Sequence, residues 1–361
     1  MGELKLMKGN EAIAEAAIRA GVDGYFGYPI TPQSEVLEYL MAQKPYETTG
    51  MVVLQAESEV AAINMCYAGG SCGRKVMTSS SSPGISLKME GLSYMAGAQL
   101  PVVVLNVVRG GPGLGDIQPS QSDYFQATKG GGHGDYRLYV LAPSSVQEMA
   151  DFIKIGFDMA FKYRNPVMIL SDGMIGQMME KVELFDPIPR LTPEEVEKRY
   201  PWATTGKKAN RKRNITTSLF LDPAVQEKHV FALKAKYDMM QKDDVRFEKI
   251  LCDDAEYLLV AYGSSARICQ KTINLARKEG IKLGLLRPIT LFPYPTEEVA
   301  KLAKQVKGML AVEMSTGQMV EDVRLAVNGK VPVMHYGRTG GMIHTPSEIL
   351  DFVKSSLIGG K

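Results

Sequence analysis

Short apolar runs alternate with helix-length segments along most of this chain, and the run PVVVLNVV at residues 101–108 constrains the fold most. A strand this apolar on both faces must be covered on both sides, as a central strand of a parallel sheet is. KVMTSS (75–80) precedes this run and PVMILSD (166–172) follows it, and each is separated from it by at least one helical pattern. The alternation predicts an α/β fold with an open parallel sheet and helices on both faces.

The same alternation divides the chain into three parts. We predict a first α/β domain over residues 1–186, a connector with a charged helix over 187–249, and a second, smaller α/β domain over 250–361. The connector is set apart by its polar run TTGKKANRKRN and by a helix expected from about 223 to 249. Within the first domain, the elements expected near the amino terminus are a helix over 10–20, a strand in DGYFGYPI, a helix over 33–41, a short buried strand in MVVLQA and a helix over 84–98.

Composition excludes several classes of protein. The chain has 361 residues and a net charge of +2, so it has no overall electrostatic attraction to nucleic acid or to an anionic membrane. No apolar run reaches the roughly 18 residues that span a bilayer, and no basic segment followed by an apolar stretch opens the sequence. We therefore expect a cytoplasmic protein. The four cysteines form no CxxC pair and the four histidines are far apart, which predicts no metal site on this chain.

Two short motifs resemble a catalytic or a nucleotide-binding pattern, but the predicted secondary structure or a missing residue excludes each. Ser71 fits GxSxG, but a helix precedes it and a strand follows, the reverse of a nucleophile elbow. RGGPGLGD follows an apolar strand but lacks the third glycine of GxGxxG. His133 lies in TKGGGHGDY, where glycines allow close approach of a ligand, and a mobile glycine loop is an equally good interpretation.

Polar residues follow the predicted strands at the ends where open α/β sheets bind ligands. Tyr28, Thr31, Glu59, the serines at 79–82 and Arg109 each lie in such a loop or at the helix start beside it. Arg109 directly follows an apolar strand, so its planar guanidinium is suited to pairing with a substrate carboxylate, although a structural ion pair is the alternative. For Thr31, which lies between Pro29 and Pro32, the alternative is a cap on the following helix.

Taken together, these residues resemble a known family. YPITPQSE, AESEVAAINMCYAGG, TSSSSPGISLKMEGLSYMAGAQLPVVVLNVVRGGPGLG, RPITLFPYP and AVEMSTGQMVEDVR are similar to the alpha-type subunit of 2-oxoacid:ferredoxin oxidoreductases over nearly the whole chain. The resemblance implies a thiamine diphosphate-binding pyrimidine domain followed by a transketolase C-terminal-like domain. It also implies oxidative decarboxylation of a 2-oxoacid to acyl-CoA and CO2 with reduction of ferredoxin.

The resemblance further implies a cofactor shared between subunits. The diphosphate and Mg2+ would be held by a beta-type partner, since this chain has no GDG motif. Iron–sulfur clusters would lie on a small ferredoxin-like subunit, a gamma-type subunit is a possible further partner, and CoA would be the co-substrate. By the same resemblance Glu59 hydrogen-bonds the pyrimidine ring, with Glu57 as its rival for that role.

The resemblance also implies roles for the remaining site residues. Thr31 and Arg109 would face the 2-oxo and carboxylate groups of the substrate, while the other expected cofactor contacts are Tyr28, Pro29, Ile30 and Ser82. Arg287 and Glu313 in the second domain are interpreted as structural. We expect Thr31 to face the same pocket as Arg109 and Glu59.

The substrate is predicted from the connector, which resembles 2-oxoisovalerate (ketoisovalerate) members more than 2-oxoglutarate members. A 2-oxoglutarate enzyme stays the alternative, although its pocket needs a further cation. A ferredoxin-independent thiamine-dependent decarboxylase and an inactive scaffold subunit are the other hypotheses.

Overall fold

The computed structural model describes residues 2–207, 209 and 211–360. Residues 208 and 210 of the predicted polar run therefore lie outside the described residues. The elements up to residue 184 are β1 (Glu3–Lys8), α1 (Gly9–Arg19), β2 (Gly24–Gly27), α2 (Ser34–Gln43), α3 (Pro45–Thr49), β3 (Val52–Gln55), α4 (Glu59–Ser71), β4 (Val76–Ser80), α5 (Ser82–Gly97), β5 (Val102–Val108), α6 (Tyr124–Thr128), β6 (Tyr139–Leu141), α7 (Val146–Tyr163), β7 (Val167–Asp172), α8 (Gly173–Gln177) and β8 (Met179–Leu184).

The rest of the chain adds a second set of alternating strands and helices. Its elements are α9 (Pro193–Arg199), α10 (Pro223–Asp243), β9 (Phe247–Ile250), β10 (Tyr257–Val260), α11 (Gly263–Lys278), β11 (Leu283–Pro288), β12 (Thr290–Phe292), α12 (Thr296–Leu302), β13 (Gly308–Glu313), α13 (Met319–Val327), β14 (Val333–Gly337) and α14 (Pro346–Phe352), followed by a π-helical segment, Val353–Ile358.

The first sheet has seven strands in the order β12-β6-β7-β5-β4-β2-β3, and all but β12 run parallel. Strand β5 is buried along its whole length, as its apolar sequence predicts. The prediction that MVVLQA forms a buried strand is wrong in one respect. Strand β3 forms, but it lies at the sheet edge, where it pairs with β2, and Val52 and Leu54 are 42% and 40% exposed.

The second sheet has five strands in the order β14-β13-β10-β11-β9, and β9 runs antiparallel to β11. The charged helix of the connector ends at Asp243, earlier than expected, because the chain then turns into β9. The predicted boundary between residues 249 and 250 falls inside this strand. Strand β12, from the second part of the chain, pairs with β6 and extends the first sheet.

A buried glutamine joins the two sheets. Gln121, in the loop before α6, is 2% exposed. Its Nε2 donates to the carbonyl of Tyr262 at 2.9 Å, while its Oε1 accepts from the hydroxyl of Ser265 at 2.7 Å and from the N–H of Met314 at 2.9 Å. The loop that follows β5 is thereby fixed against the strand ends of the second sheet.

Candidate active site

Four neighbouring strands of the first sheet, in the order β5-β4-β2-β3, end at one edge, and the loops after them carry the predicted site residues. Arg109 follows β5, Ser82 follows β4, Thr31 follows β2 and Glu59 follows β3. Because the carboxyl ends of parallel strands share an edge, the topology gathers these residues on one side of the sheet.

Glu59 is the first residue of α4. Ser58 caps that helix, since its hydroxyl accepts from the N–H of Ala61 at 3.2 Å. Glu59 is only 7% exposed, whereas Glu57, two residues earlier, is exposed. Among the described residues, no donor lies within hydrogen-bonding distance of the Glu59 carboxylate, so this buried side chain keeps its acceptor capacity for another molecule.

Helix α5 approaches Glu59 very closely. A Cβ atom on Gly84 would lie 2.7 Å from Glu59 Oε1 and 2.1 Å from Ser80 Oγ, so a residue larger than glycine does not fit there. The hydroxyls of Ser80 and Ser81 are buried and have no hydrogen-bond partner among the described residues. The unsatisfied hydroxyl of Ser80 thus lies on the same side of Gly84 as the carboxylate of Glu59.

Arg109 is 7% exposed and contacts the turn after β2. Its Nη1 donates to the carbonyl of Thr31 at 2.9 Å and its Nη2 donates to the carbonyl of Leu114 at 3.0 Å, while Nε is buried and has no partner. No carboxylate in the part of the chain that the structure describes forms an ion pair with it. The expected alternative, a structural ion pair, is therefore not what the structure has.

The turn that carries Thr31 is held by side chains below it. The carbonyl of Pro32 accepts from Asn10 Nδ2 at 2.7 Å and from Gln177 Nε2 at 3.1 Å, and Gln33 Nε2 donates to the carbonyl of Tyr28 at 3.3 Å. The side chain of Thr31 is exposed. Helix α2 has Gln33 at its cap position and no side-chain cap, so Thr31 does not serve as the helix cap.

The structure brings Arg109 to the backbone of Thr31, and the hydroxyl of Thr31 makes no hydrogen bond to a described residue. Pro29 is exposed, and Tyr28 and Ile30 are half-buried in the same turn. Ser82 is placed differently, because its hydroxyl accepts from the N–H of Arg109 at 3.1 Å. Ser82 therefore fixes the backbone at the end of β5, directly after which Arg109 lies.

Asp123 is a site residue that sequence reasoning missed. Burial raises its pKa, against hydrogen bonds from Asn106 and Ser82 that lower it, and the bond from Asn106 Nδ2 measures 2.8 Å. The residue lines a cavity of about 460 Å³ beside the glycine loop that follows Arg109. The described lining residues include one carboxylate and no lysine, arginine or histidine; they are Ser82, Pro83, Ser86, Gly111, Pro112, Gly113, Ser122, Asp123, Gln126, Thr316, Gln318 and Thr339.

His133 lies apart from this edge. It is exposed, its ring contacts Tyr94 edge-on with centroids 5.9 Å apart, and its carbonyl accepts from Ser93. Ser93 is 11 residues beyond Ser82 in α5, roughly 16 Å along the helix axis. The alternative that this loop is a surface feature fits its position.

The second sheet ends in a buried glutamate of a different kind. Glu313, the last residue of β13, is 0% exposed. Its carboxylate accepts from the hydroxyl of Ser315 at 2.8 Å and from the N–H groups of Gln318, Met319 and Val320, each at 3.0 Å. These N–H groups open helix α13, so Glu313 stabilises the helix and has little acceptor capacity left.

Arg287 is likewise paired within the chain. It is 4% exposed, its Nη2 forms an ion pair with Glu148 of α7, and its Nη1 lies 3.1 Å from Glu248 of β9. The first contact joins β11 to α7, and the second joins β11 to its neighbouring strand β9, so both are contacts within the chain.

Comparison with known proteins shows the family that the sequence resembles. The model of the family described as "Pyruvate flavodoxin/ferredoxin oxidoreductase, thiamine diP-bdg" matches residues 15–247, and that of "Pyruvate:ferredoxin oxidoreductase core domain II" matches residues 255–349. The chain belongs to the 2-oxoacid:ferredoxin oxidoreductase family. Its thiamine diphosphate-binding domain is the part that carries Thr31, Glu59 and Arg109.

Two relatives of this family match over their full length. "Ketoisovalerate oxidoreductase subunit VorB" of Methanothermobacter thermautotrophicus is 48% identical over 97% of this chain and 97% of that protein. "2-oxoglutarate synthase subunit KorA" of Archaeoglobus fulgidus is 36% identical over 98% of this chain and 100% of that protein. Both relatives are named as subunits.

Solved structures share the fold. A 2-oxoglutarate:ferredoxin oxidoreductase from Magnetococcus marinus, solved with 2-oxoglutarate, coenzyme A and succinyl-CoA bound, superposes with a TM-score of 0.84 at 25% identity. The match covers 98% of this chain and 65% of that longer chain. A split-gene transketolase, with a TM-score of 0.60 and 12% identity over 98% of both chains, shows the fold alone. Among the described residues, no helix combines the length and apolar character needed to cross a bilayer.

Proposed function

We propose that this chain is the subunit that presents Glu59 to the pyrimidine ring of thiamine diphosphate in an enzyme that oxidatively decarboxylates 2-oxoisovalerate to acyl-CoA and CO2 and reduces ferredoxin. One observation carries the proposal: Glu59 is a buried carboxylate to which no described residue donates a hydrogen bond. A buried acceptor left open in this way needs a donor from outside the chain.

The residues around Glu59 fit an aminopyrimidine. Such a ring offers a nitrogen that can carry a proton and an exocyclic amino group, and Glu59 together with the open hydroxyl of Ser80 offers matching acceptors. The absence of a side chain at Gly84 lets Ser80 Oγ and Glu59 Oε1 both pack against α5 at this point. The neighbouring turn contains Tyr28, Pro29 and Ile30. Ser82 fixes the backbone of Arg109, because its hydroxyl accepts from the Arg109 N–H.

When bound, thiamine diphosphate supplies the carbon that attacks the 2-oxo group and accepts the electrons released by decarboxylation. Glu59 holds the shared proton at the ring nitrogen and so fixes the orientation of the ring. Its burial excludes water from that hydrogen bond, which strengthens the bond.

Arg109 is proposed to bind the substrate carboxylate. Two neutral carbonyl groups orient its guanidinium and leave its charge uncompensated within the described residues, while its Nε hydrogen remains available. Thr31, whose backbone carbonyl accepts from this guanidinium and whose side chain is exposed, is proposed to donate to the 2-oxo group.

We favour a branched monocarboxylate over 2-oxoglutarate as the substrate. The cavity beside the glycine loop that follows Arg109 has no lysine, arginine or histidine in its described lining, so it offers no cation for a second carboxylate. The relative named for ketoisovalerate is also more similar than the one named for 2-oxoglutarate. A 2-oxoglutarate enzyme is the second candidate, favoured by the structural match to an enzyme of that name.

The partners follow from what this chain lacks. We propose that a beta-type subunit holds the diphosphate and Mg2+, that a small ferredoxin-like subunit carries the iron–sulfur clusters, that a gamma-type subunit completes some assemblies and that external ferredoxin accepts the electrons. Exposed apolar side chains around the site support coverage by a partner; they are Val52, Leu54, Val60, Leu87, Leu114 and Ile117.

The proposal is tested by replacing Glu59 with Gln in the assembled complex, with Glu57→Gln as the matched control. We expect dye reduction with 2-oxoisovalerate, CoA and thiamine diphosphate to fall about 100-fold or more for Glu59→Gln, the range of lost proton-transfer catalysis, and to be unchanged for Glu57→Gln. Unchanged turnover in both variants would make the chain a scaffold.

A substrate panel separates the remaining hypotheses. Acyl-CoA formed from 2-oxoisovalerate in preference to 2-oxoglutarate and pyruvate supports the proposed substrate, while preference for 2-oxoglutarate supports the second candidate. Release of free aldehyde without any need for ferredoxin or CoA would identify a decarboxylase. The chain purified alone should give no turnover.

A further inference from the structure

The turn between β2 and α2, which carries Thr31, is held by two side-chain amides. Asn10 lies in α1 and Gln177 ends α8, so the two amides come from distant parts of the sequence. Asn10 Nδ2 donates to the carbonyl of Pro32 at 2.7 Å, and Gln177 Nε2 donates to the same carbonyl at 3.1 Å. One carbonyl group of the turn therefore accepts two hydrogen bonds.

A carboxylate fixes the direction of both amides. Glu35 lies in the first turn of α2, where its Oε2 accepts from Asn10 Nδ2 at 3.0 Å and its Oε1 accepts from Gln177 Nε2 at 2.7 Å. An ionised carboxylate can only accept, so the N–H2 group of each amide must point toward Glu35 and Pro32. We call Asn10, Glu35 and Gln177 the turn clamp.

The charges around the turn clamp favour this arrangement. Burial raises the pKa of Glu35, but the hydrogen bonds that its carboxylate accepts, first among them the one from Gln177, lower the pKa by more. Lys8 Nζ lies 3.7 Å from Glu35 Oε1 and donates to Gln177 Oε1 at 3.4 Å. The oxygen of the Gln177 amide is thus occupied by a donor, which leaves its N–H2 group to the turn.

The turn clamp acts on the peptide next to the one that orients Arg109. The carbonyl of Thr31, directly before Pro32 in the chain, accepts from Arg109 Nη1 at 2.9 Å. The carbonyl of Leu114 accepts from Nη2 at 3.0 Å. The turn clamp thereby fixes one of the two carbonyl groups that hold the guanidinium.

We propose that Asn10, Glu35 and Gln177 are positioning residues for substrate binding, which act through the carbonyl of Thr31 and hold the Arg109 guanidinium where it meets the carboxylate of the 2-oxoacid. A guanidinium binds a carboxylate through a planar fork, so a small displacement of its support weakens binding. This inference rests on the proposed function, because it requires Arg109 to bind the substrate.

Steady-state kinetics of the assembled complex test the inference with two variants. Glu35→Gln turns one acceptor of the turn clamp into a donor that faces an amide N–H2 group, and Gln177→Met removes one of the two bonds to Pro32. Gln177 is exposed and Glu35 is half-buried, so neither substitution opens a cavity in the core. We expect KM for 2-oxoisovalerate to rise about fivefold in each variant, the scale of one net hydrogen bond, with kcat and KM for CoA unchanged. Glu38→Gln, an exposed position of the same helix, is the matched control and should keep the wild-type KM.

A competitive inhibitor separates binding from chemistry. Isovalerate has the carboxylate and the branched chain of 2-oxoisovalerate but lacks the 2-oxo group, so its Ki should rise in Glu35→Gln by the same factor as KM. In an Arg109→Lys background the fork is already lost, and Glu35→Gln should change KM by less than about twofold. An unchanged Ki, or a fivefold effect in both backgrounds, would mean that the turn clamp does not act through Arg109 and would overturn the inference.

Failure of this inference differs from failure of the proposed function. If Arg109→Lys raises KM while Glu35→Gln and Gln177→Met keep the wild-type KM and lower only the thermal midpoint, the turn clamp is structural and the proposed function stands. If Arg109→Lys keeps both the wild-type KM and the wild-type Ki, Arg109 does not bind the substrate, and the inference is wrong together with that part of the proposed function.

Discussion

Both sheets of this protein end in a buried glutamate at the carboxyl edge of a parallel strand, and the two glutamates are treated in opposite ways. Glu313 accepts from one hydroxyl and three backbone N–H groups of the helix that follows it. Glu59, which is 7% exposed, accepts a hydrogen bond from no described residue. Glu313 and Glu59 are therefore alike in burial and in position. They differ in the number of hydrogen bonds that the carboxylate accepts from described residues.

The two arginines repeat the contrast. Arg287 is held by the carboxylates of Glu148 and Glu248, whereas Arg109 is oriented by two carbonyl groups and has no carboxylate partner among the described residues. The Nε atom is buried without a partner in both arginines, so the ion pairs alone distinguish them. In each pair, the charge of the member in the second sheet has partners within the chain, and we interpret the member in the first sheet as open toward a ligand.

The largest effect that tests this comparison is on local stability. In Glu313→Gln an amide N–H2 would face the N–H donors of α13, and we expect the free energy of opening of α13 to fall by about 3 kcal/mol, the scale of a broken buried charge network. Amide hydrogen exchange of the assembled complex measures it. Glu59→Gln is the control and should change the opening energy of α4 by no more than about 0.5 kcal/mol. Equal losses in both helices would remove the distinction.

The pH dependence of stability tests the burial of Lys88, a residue of α5 that is 0% exposed and whose Nζ donates to the backbone carbonyl of Glu59 at 3.3 Å. Lys88 has its pKa lowered by burial from 10.5 to about 8, so between these values the unfolded chain binds more protons than the folded one, and the stability of the wild type should rise with pH. The contribution amounts to about 3 kcal/mol over this range. Lys88→Met should lack it, which denaturant-unfolding midpoints measured at each pH would detect. Parallel curves for the two proteins would mean that the ammonium is not desolvated.

A smaller effect is expected on substrate binding. Arg109→Lys keeps the charge but loses the planar fork, and we expect KM for the 2-oxoacid to rise about tenfold with kcat little changed. Arg287→Lys in the second sheet should leave KM unchanged and lower the thermal midpoint of the complex. Steady-state kinetics and thermal unfolding of the two variants check both expectations, and a KM change in Arg287→Lys alone would reverse the assignment.

The sequence predicts the first sheet and the edge that carries the site, because apolar runs such as residues 101–108 mark the strands and polar residues follow them directly. It does not predict Lys88, since a lysine in a helix is normally at the surface, and its place in SPGISLKMEGLSYMAG is visible only as one charge between apolar residues. The saturation of Glu313 is equally hidden, because its donors belong to a helix whose orientation depends on packing. The pairing of β1 with β8 escapes prediction because the apolar residues of β1 do not mark a buried face: Leu4 and Leu6 are 62% and 68% exposed.

Strand β12 has a consequence for how the protein can be made. The first sheet lacks its outer strand until residues 290–292 have been synthesised, more than 100 residues after β7. During translation, β6 is an uncovered edge, which is the kind of surface that pairs with other chains. A gene fragment ending at residue 250 would leave that edge open permanently, so the two parts of this polypeptide are not interchangeable modules and should be expressed as one piece.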